Sequence, residues 1–419
     1  MKRGLSFALP ALLVAGALAL PYLLPAGQLV AAVQMLIAAL FACAFNLLAG
    51  QAGMLSFGHA AYFGVGTFAT IHAMNALGGA GLLPTPLMPL VGGAAGLLFG
   101  LAAGWFATLR SGVYFAMITL ALAELLHALA PHLKGLFGGE AGVSGMRMPA
   151  WGFTFGSTIE VYYLVLVWVV ACLAALYGLT RTPLGRLALG LRENTQRLRY
   201  LGYRPHTLKT LVFALSAMFS GVAGGLQALN IEAANYVLFE VKLSTDAVLF
   251  AYIGGVNAFL GPVLGASVLT FLSHTLSDLT RSWLLYQGIL FVLVMLFVPD
   301  GLVGLLQRGA HSLRERGLAR WLPPFGVSLG AALLLTAATV FTVEMLQRMF
   351  ARDYRAMLAM NPTAGWPPIE LFGREWAPVS PATWWLPLAL LGAGLLAARW
   401  AAALWRRPSQ PALSLEAAP

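Results

Sequence analysis

Between Arg3 and Arg110 the chain carries no Asp, Glu, Lys or Arg. A soluble domain of ordinary composition does not leave so long a stretch uncharged, because its surface must be wetted. A helix of about 20 apolar residues crosses a bilayer, so this run alone has room for about four spans. The rest of the chain agrees: of 419 residues, 59% are hydrophobic and 10% charged, and mean hydropathy is +0.80. The economical reading is an all-α, polytopic membrane helical bundle, since backbone groups in lipid must be satisfied within their own segment.

The placement of the charges gives the topology. The net charge of +10 lies in short loops, where it sets sidedness and argues against nucleic acid. Lys2 and Arg3 favour a cytoplasmic N-terminus, and Tyr22-Leu-Leu-Pro25 is a poor signal-peptide cleavage site. Apolar segments follow at about 5–24, 29–48, 55–77, 90–109, 113–130 and 161–179. Glu124 falls inside the fifth, and a carboxylate at that depth is expected to face the bundle interior, because lipid exposure costs about 2.5 to 3.5 kcal/mol; the alternative is a residue near the segment's end that is paired or hydrated. Residues 134–158 form a glycine-rich external loop.

The sixth segment returns the chain to the cytoplasm at a basic island, 181–209, which sets Arg181, Arg186, Arg192, Arg197, Arg199, Arg204 and Lys209 against the single acid Glu193. Pro183 and Pro205 bracket room for one or two short surface helices. A span follows at 210–228, in which Ala217, Gly221 and Gly225 recur at four-residue spacing and permit close helix contact. A broken helix is expected near 245–265, interrupted at Asn257 and Gly261-Pro262. Another span runs over 284–297, and Arg308, Arg314, Arg316 and Arg320 then mark a second cytoplasmic segment. An even number of crossings must separate the two basic segments; counting both halves of the broken helix gives four.

The organisation is therefore a transmembrane core at 1–307, a cytoplasmic linker at 308–324 and a C-terminal extension at 325–419 with two more spans. Those spans lie at 325–342 and 384–398, with Trp366, Trp376, Trp384 and Trp385 suited to an interfacial belt. Arg399, Arg406 and Arg407 hold the C-terminus in the cytoplasm.

No GxxxxGK[ST], HExxH or GxSxG motif occurs, no metal-ligand cluster stands out, and no catalytic residue is assigned. Cys43 and Cys172 lie in apolar segments and read as inert small hydrophobes. The most informative stretch is 46–66, which places Gly50, Gly53, Gly58, Gly64 and Gly66 beside polar groups inside what should be membrane. Glycine allows a turn or close backbone approach, and an interrupted helix can offer backbone groups to a polar solute. Gln51, Ser56, His59 and Tyr62 are the candidate residues of an interior path. For His59 the alternative is a packed, hydrogen-bonded residue at a helix start.

Several stretches, in order, resemble the inner-membrane permeases of branched-chain amino-acid ABC importers, specifically the LivM-like subunit. They are NLLAGQAGMLSFGHAAYFGVG at 46–66, SGVYFAMITLALAEL at 111–125, GRLALGLRENTQRLRYLGYRPHTLKTLVFALSAMFSGVAGGL at 185–226, YIGGVNAFLGPVLGA at 252–266 and YQGILFVLVMLFVPDGLVGLL at 286–306. GEAGVSGM at 139–146 resembles the short external motif of the same proteins.

The resemblance implies a bundle of the type II ABC importer permease kind in the bacterial inner membrane, surrounded by lipid. It also implies a second LivH-like permease subunit, two cytoplasmic ATPase subunits that hold ATP and magnesium, and a periplasmic binding protein delivering leucine, isoleucine or valine. This chain itself would need no cofactor. The island would be the segment that docks on the ATPase, with Arg186, Arg192, Glu193, Arg197 and Arg199 as its coupling residues. Asn194 and Thr195 stand where the family commonly has further acids, and the tail beyond Gly309 falls outside the usual pattern. Importers of urea or short-chain amides use similar permeases, a ribose-type importer shares the broad architecture, and a secondary transporter is the reading from another functional class.

Overall fold

A computed structural model describes residues 14–298, 300–360 and 366–406; the basic N-terminus and Arg407 lie outside them. Helices α1 (Val14–Leu23), α2 (Ala26–Asn46), α3 (His59–Ala73) and α4 (Met88–Ala107) lie in the charge-free run, and α5 (Val113–Leu129) follows it. After them come α6 (Lys134–Phe137), α7 (Thr158–Arg181), α8 (Pro183–Glu193), α9 (Thr195–Tyr200) and α10 (Pro205–Ile231). The chain continues through α11 (Val241–Gly254), α12 (Gly261–Leu279), α13 (Trp283–Phe297), α14 (Gly301–Arg316), α15 (Leu318–Met349), α16 (Arg352–Met360) and α17 (Pro381–Arg406). Among the described residues six helices are long and apolar enough to cross a membrane, and a further pair, Trp283–Leu296 with Gly301–Arg314, bends by 54°. Strands are confined to two short antiparallel pairs, β1 (Val143–Ser144) with β2 (Ala233–Ala234) and β3 (Ile369–Leu371) with β4 (Arg374–Trp376).

The chain divides into two compact units. The first comprises 14–275 and 287–305, the second 276–286 and 306 onward. In the first, α10 is the central helix: 78% of its apolar window is buried. Glycines set its contacts. A Cβ on Gly221 would sit 2.3 Å from Gly92 O, one on Gly96 2.5 Å from Ala217 O, and one on Gly66 2.4 Å from Gly221 O. The small residues at four-residue spacing thus let α3, α4 and α10 meet backbone to backbone, where dispersion and close packing replace the absent hydrophobic drive. Around them pack Phe41, Phe45, Tyr62, Phe115, Tyr162 and Phe213.

Two expectations need correction. The third span does not begin at 55: its helix starts at His59, and 53–58 is irregular. Glycine at 53, with φ +67°, turns the chain there. Glu124 does not face the interior of this chain but is exposed. α5 turns Phe115, Ala116, Thr119 and Ala123 inward, and Glu124 falls on the opposite face with Tyr114 and Met117. Residues 308–316 belong to α14 and 318–324 to α15, with Gly317 between them at φ +72°.

The broken helix near 245–265 is present as α11 and α12, joined through 255–260. Gly255 has φ +113°, and a Cβ on Gly301 would lie 2.4 Å from Gly255 N. The break and the start of α14 therefore share one end of the first unit. At the opposite end β1 pairs with β2 just beyond α10. There Arg147 Nε is 3.2 Å from Glu232 Oε1, and Arg147 Nη1 donates to Leu229 O, a terminal carbonyl of α10, at 2.9 Å.

In the second unit α15 packs on α17, and Phe341, Met345, Ile369 and Leu371 form a small core under the β3–β4 hairpin. Thr280 Oγ1 and Tyr286 OH both donate to Glu344 Oε1. Only 17% of the apolar part of α15 and 11% of that of α17 is buried, so both helices are largely exposed.

Candidate functional site

The last turn of α2 widens into a π-helical segment, Leu47–Gln51, and such turns mark an interrupted ladder. Met54 N returns to Leu48 O at 3.1 Å. Side chains then satisfy the exposed donors before α3: Phe57 N donates to Thr119 Oγ1 at 3.2 Å, Gly58 N to Ser56 Oγ at 3.3 Å and Ala60 N to Ser244 Oγ at 2.9 Å. A Cβ on Gly58 would sit 2.1 Å from Thr119 O, so only glycine fits there.

The four candidate path residues are not placed alike. Ser56, His59 and Tyr62 are buried, with 0%, 1% and 1% exposure, while Gln51 is partly open. Gln51 lines a small cavity with Cys43, Asn46, Leu47, Leu176, Thr180 and Phe259. His59 Nε2 lies 2.8 Å from Ser216 Oγ, and its ring packs edge-on against Phe45 and Tyr62, with centroids at 5.2 and 5.9 Å. The alternative for this histidine, a packed residue at a helix start, is the arrangement in this structure.

The basic island forms two helices. Pro183 opens α8, and Thr182 Oγ1 caps it by accepting from Gly185 N at 3.3 Å. Asn194 Oδ1 accepts from Gln196 N and Arg197 N, both at 3.0 Å, and so caps α9. Gly185, Ala188, Leu191 and Leu198 face inward; Arg186, Glu193, Arg197 and Arg199 are exposed. Arg192 behaves differently. Its Nη1 donates to Gly50 O at 2.6 Å and its Nη2 to Asn257 Oδ1 at 3.0 Å. One guanidinium thus joins α8 to the break after α2 and to the break after α11.

A family model described as "Branched-chain amino acid transport system / permease component" matches residues 27–299. The chain is 30% identical over 314 residues to the high-affinity branched-chain amino acid transport system permease protein LivM of Salmonella typhimurium, covering 68% of this chain and 72% of that protein. It is 26% identical over 288 residues to the corresponding permease BraD of Pseudomonas aeruginosa, covering 64% and 91%. A shorter similarity, 28% over 151 residues, covers 35% of this chain and 45% of the ribose import permease protein RbsC of Haemophilus influenzae. No solved structure gives a significant match.

The chain belongs to the branched-chain amino-acid permease family. It is a transmembrane permease component and not itself an enzyme. Among the described residues of this permease no three His, Cys, Asp or Glu side chains are placed to hold a metal ion, and Cys43 and Cys172 are free and buried. The family match ends at 299, so α14 to α17 lie outside it.

Sequence reasoning missed several residues that build this permease's site. Ser216, Ser244 and Thr119 are small hydroxyls in apolar helices, with no local sign that each pairs across 62 to 184 positions of chain. Asn257 did carry a signal, since it follows the Gly254-Gly255 pair at an expected break.

Proposed function

We propose that this permease forms the membrane path of an ATP-driven importer of leucine, isoleucine and valine in the bacterial inner membrane, with both termini cytoplasmic. The observation that carries the reading is the seat of the two basic helices at the end of the bundle where both helix breaks lie, within the stretch that the permease family matches. The branched-chain specificity is taken from the LivM and BraD relatives, which are permeases of branched-chain amino acid transport systems.

The chain supplies no bond chemistry. Two cytoplasmic ATPase subunits, binding ATP and magnesium, would press on α8 and α9, with Arg186, Glu193, Arg197 and Arg199 as the outward contacts. A second permease subunit would complete the path, and a periplasmic binding protein would deliver the substrate. Gln51, at the partly open edge of the break, is the path residue most accessible to a solute; Ser56, His59 and Tyr62 hold the wall behind it. Residues 1–307 would make the transporting core, 308–324 a cytoplasmic connection and 325–419 an added pair of spans.

Reconstitution with the ATPase, second permease and binding protein tests this directly. Uptake of labelled leucine, isoleucine and valine that requires ATP supports the reading. Uptake of urea, acetamide or ribose in their place replaces the substrate, and uptake driven by an ion gradient without ATPase replaces the mechanism.

A further inference from the structure

Arg192 sits one position past Leu191, the last inward residue of α8, and turns back into the bundle. Its stem lies on Gly53, where a Cβ would be 2.9 Å from Arg192 Cγ. Beneath the guanidinium the two breaks touch, since a Cβ on Gly50 would fall 2.6 Å from Val256 O. Gly50 lies in the π-helical turn that ends the α2 span, where carbonyls lose their ladder partners, so its oxygen is available to a side-chain donor. Asn257 lies in the turn between α11 and α12.

The arginine fork is rigid and planar and places two donors at a fixed separation. Here the two donors are divided between two segments. A shift of α8 must then either carry both breaks along or lose a charge-assisted bond. Arg192 is exposed, as Arg186, Glu193, Arg197 and Arg199 are; it differs in the two bonds its guanidinium makes to the breaks.

We propose that Arg192 is a positioning residue of transport, the fork through which movement of α8 and α9 reaches the two helix breaks, rather than a residue that binds the ATPase. The proposal rests on the importer reading above. It makes Asn257, far from the basic surface in sequence, part of the same device.

The test uses the complete importer in proteoliposomes, measuring ATP hydrolysis, uptake and co-purification of the ATPase together. Arg192→Gln and Asn257→Ala are each expected to lower substrate moved per ATP by about tenfold, the scale of one charge-assisted bond, with ATPase co-purification unchanged. Arg192→Lys keeps the charge but not the fork and is expected to fall between. The double variant is expected to be no worse than Arg192→Gln alone, because that substitution already opens the link to Asn257. Asn257→Ala leaves the basic island intact and decides the matter if Arg192→Gln fails to fold. The relay is overturned if Asn257→Ala moves wild-type amounts per ATP, or if Arg192→Gln loses the ATPase in proportion to uptake. A wild-type importer without ATP-driven uptake removes the importer reading and the relay with it; an active wild type with silent variants removes the relay alone.

Discussion

His59 Nε2 lies 2.8 Å from Ser216 Oγ, and that serine gives its only hydrogen to Ala44 O at 2.6 Å. Ser216 Oγ must therefore accept from the imidazole, which makes Nε2 a protonated nitrogen. Nδ1 is left buried without a partner. Through this chain of bonds α3 and α10 are tied to α2.

Loss of the serine hydroxyl should be felt at all three helices. Ser216→Ala leaves His59 Nε2–H without its acceptor and removes the side-chain donor to Ala44 O, and an expected cost of about 1 kcal/mol follows from measured cross-helix bonds in membranes. His59→Ala also opens a cavity among Phe45, Tyr62 and Phe213 and should cost about 2 to 4 kcal/mol. Thermal unfolding of detergent-purified protein should rank wild type above Ser216→Ala and that above His59→Ala; the reverse order would remove the assigned roles.

The contact of α4 with α10 should tolerate no side chain. Gly221→Ala places its Cβ against backbone that neither helix can withdraw, and overpacking of this kind costs about 1 to 3 kcal/mol or more. Gly178 has nothing within 4 Å of its Cβ position, so Gly178→Ala should be neutral or gain up to about 1 kcal/mol of helix propensity. The yield of monodisperse protein after extraction distinguishes the two; equal yields would mean the helices do not meet at Gly221.

Asn194 tests the second helix of the basic island. Asn194→Ala removes the cap of α9 and should cost that helix about 1 kcal/mol, seen as faster hydrogen exchange over 195–200. Asn194→Asp should restore protection, because a carboxylate accepts from the same two N–H groups. An acid at this position, as the resemblance led one to expect, would thus do the same structural work as the asparagine.

At the opposite end, Arg147→Ala should loosen the loop before α7 more than Glu232→Gln does. The first substitution breaks the ion pair and also leaves Leu229 O without its donor; the second keeps an acceptor for Arg147 N, which now bonds Glu232 Oε1 at 2.7 Å. Limited proteolysis within 134–157 should be fastest for Arg147→Ala. Equal rates for the two variants would place the loop's stability elsewhere.

The chain's amino acids, taken alone, settled the all-α membrane class, most of the spans, the presence of short helix in the basic island and the break after α11. These follow from hydropathy, charge, proline and glycine, which act through a few neighbouring residues and can be read from local order. The glycine contacts of α10 were legible too, because four-residue spacing on a helix specifies a face without specifying a partner.

Which face meets what was decided only by the fold. Glu124 has the same neighbours in sequence whether α5 turns it inward or outward, and the packing of Thr119 and Ala123 sets that rotation. Arg192 reads like every other arginine of the island until Gly50 and Asn257, brought to it from 142 and 65 positions away, give its guanidinium somewhere to go. The lining of a bundle depends on rotational phase and on partners distant in the chain, and neither is a property of any local stretch of residues.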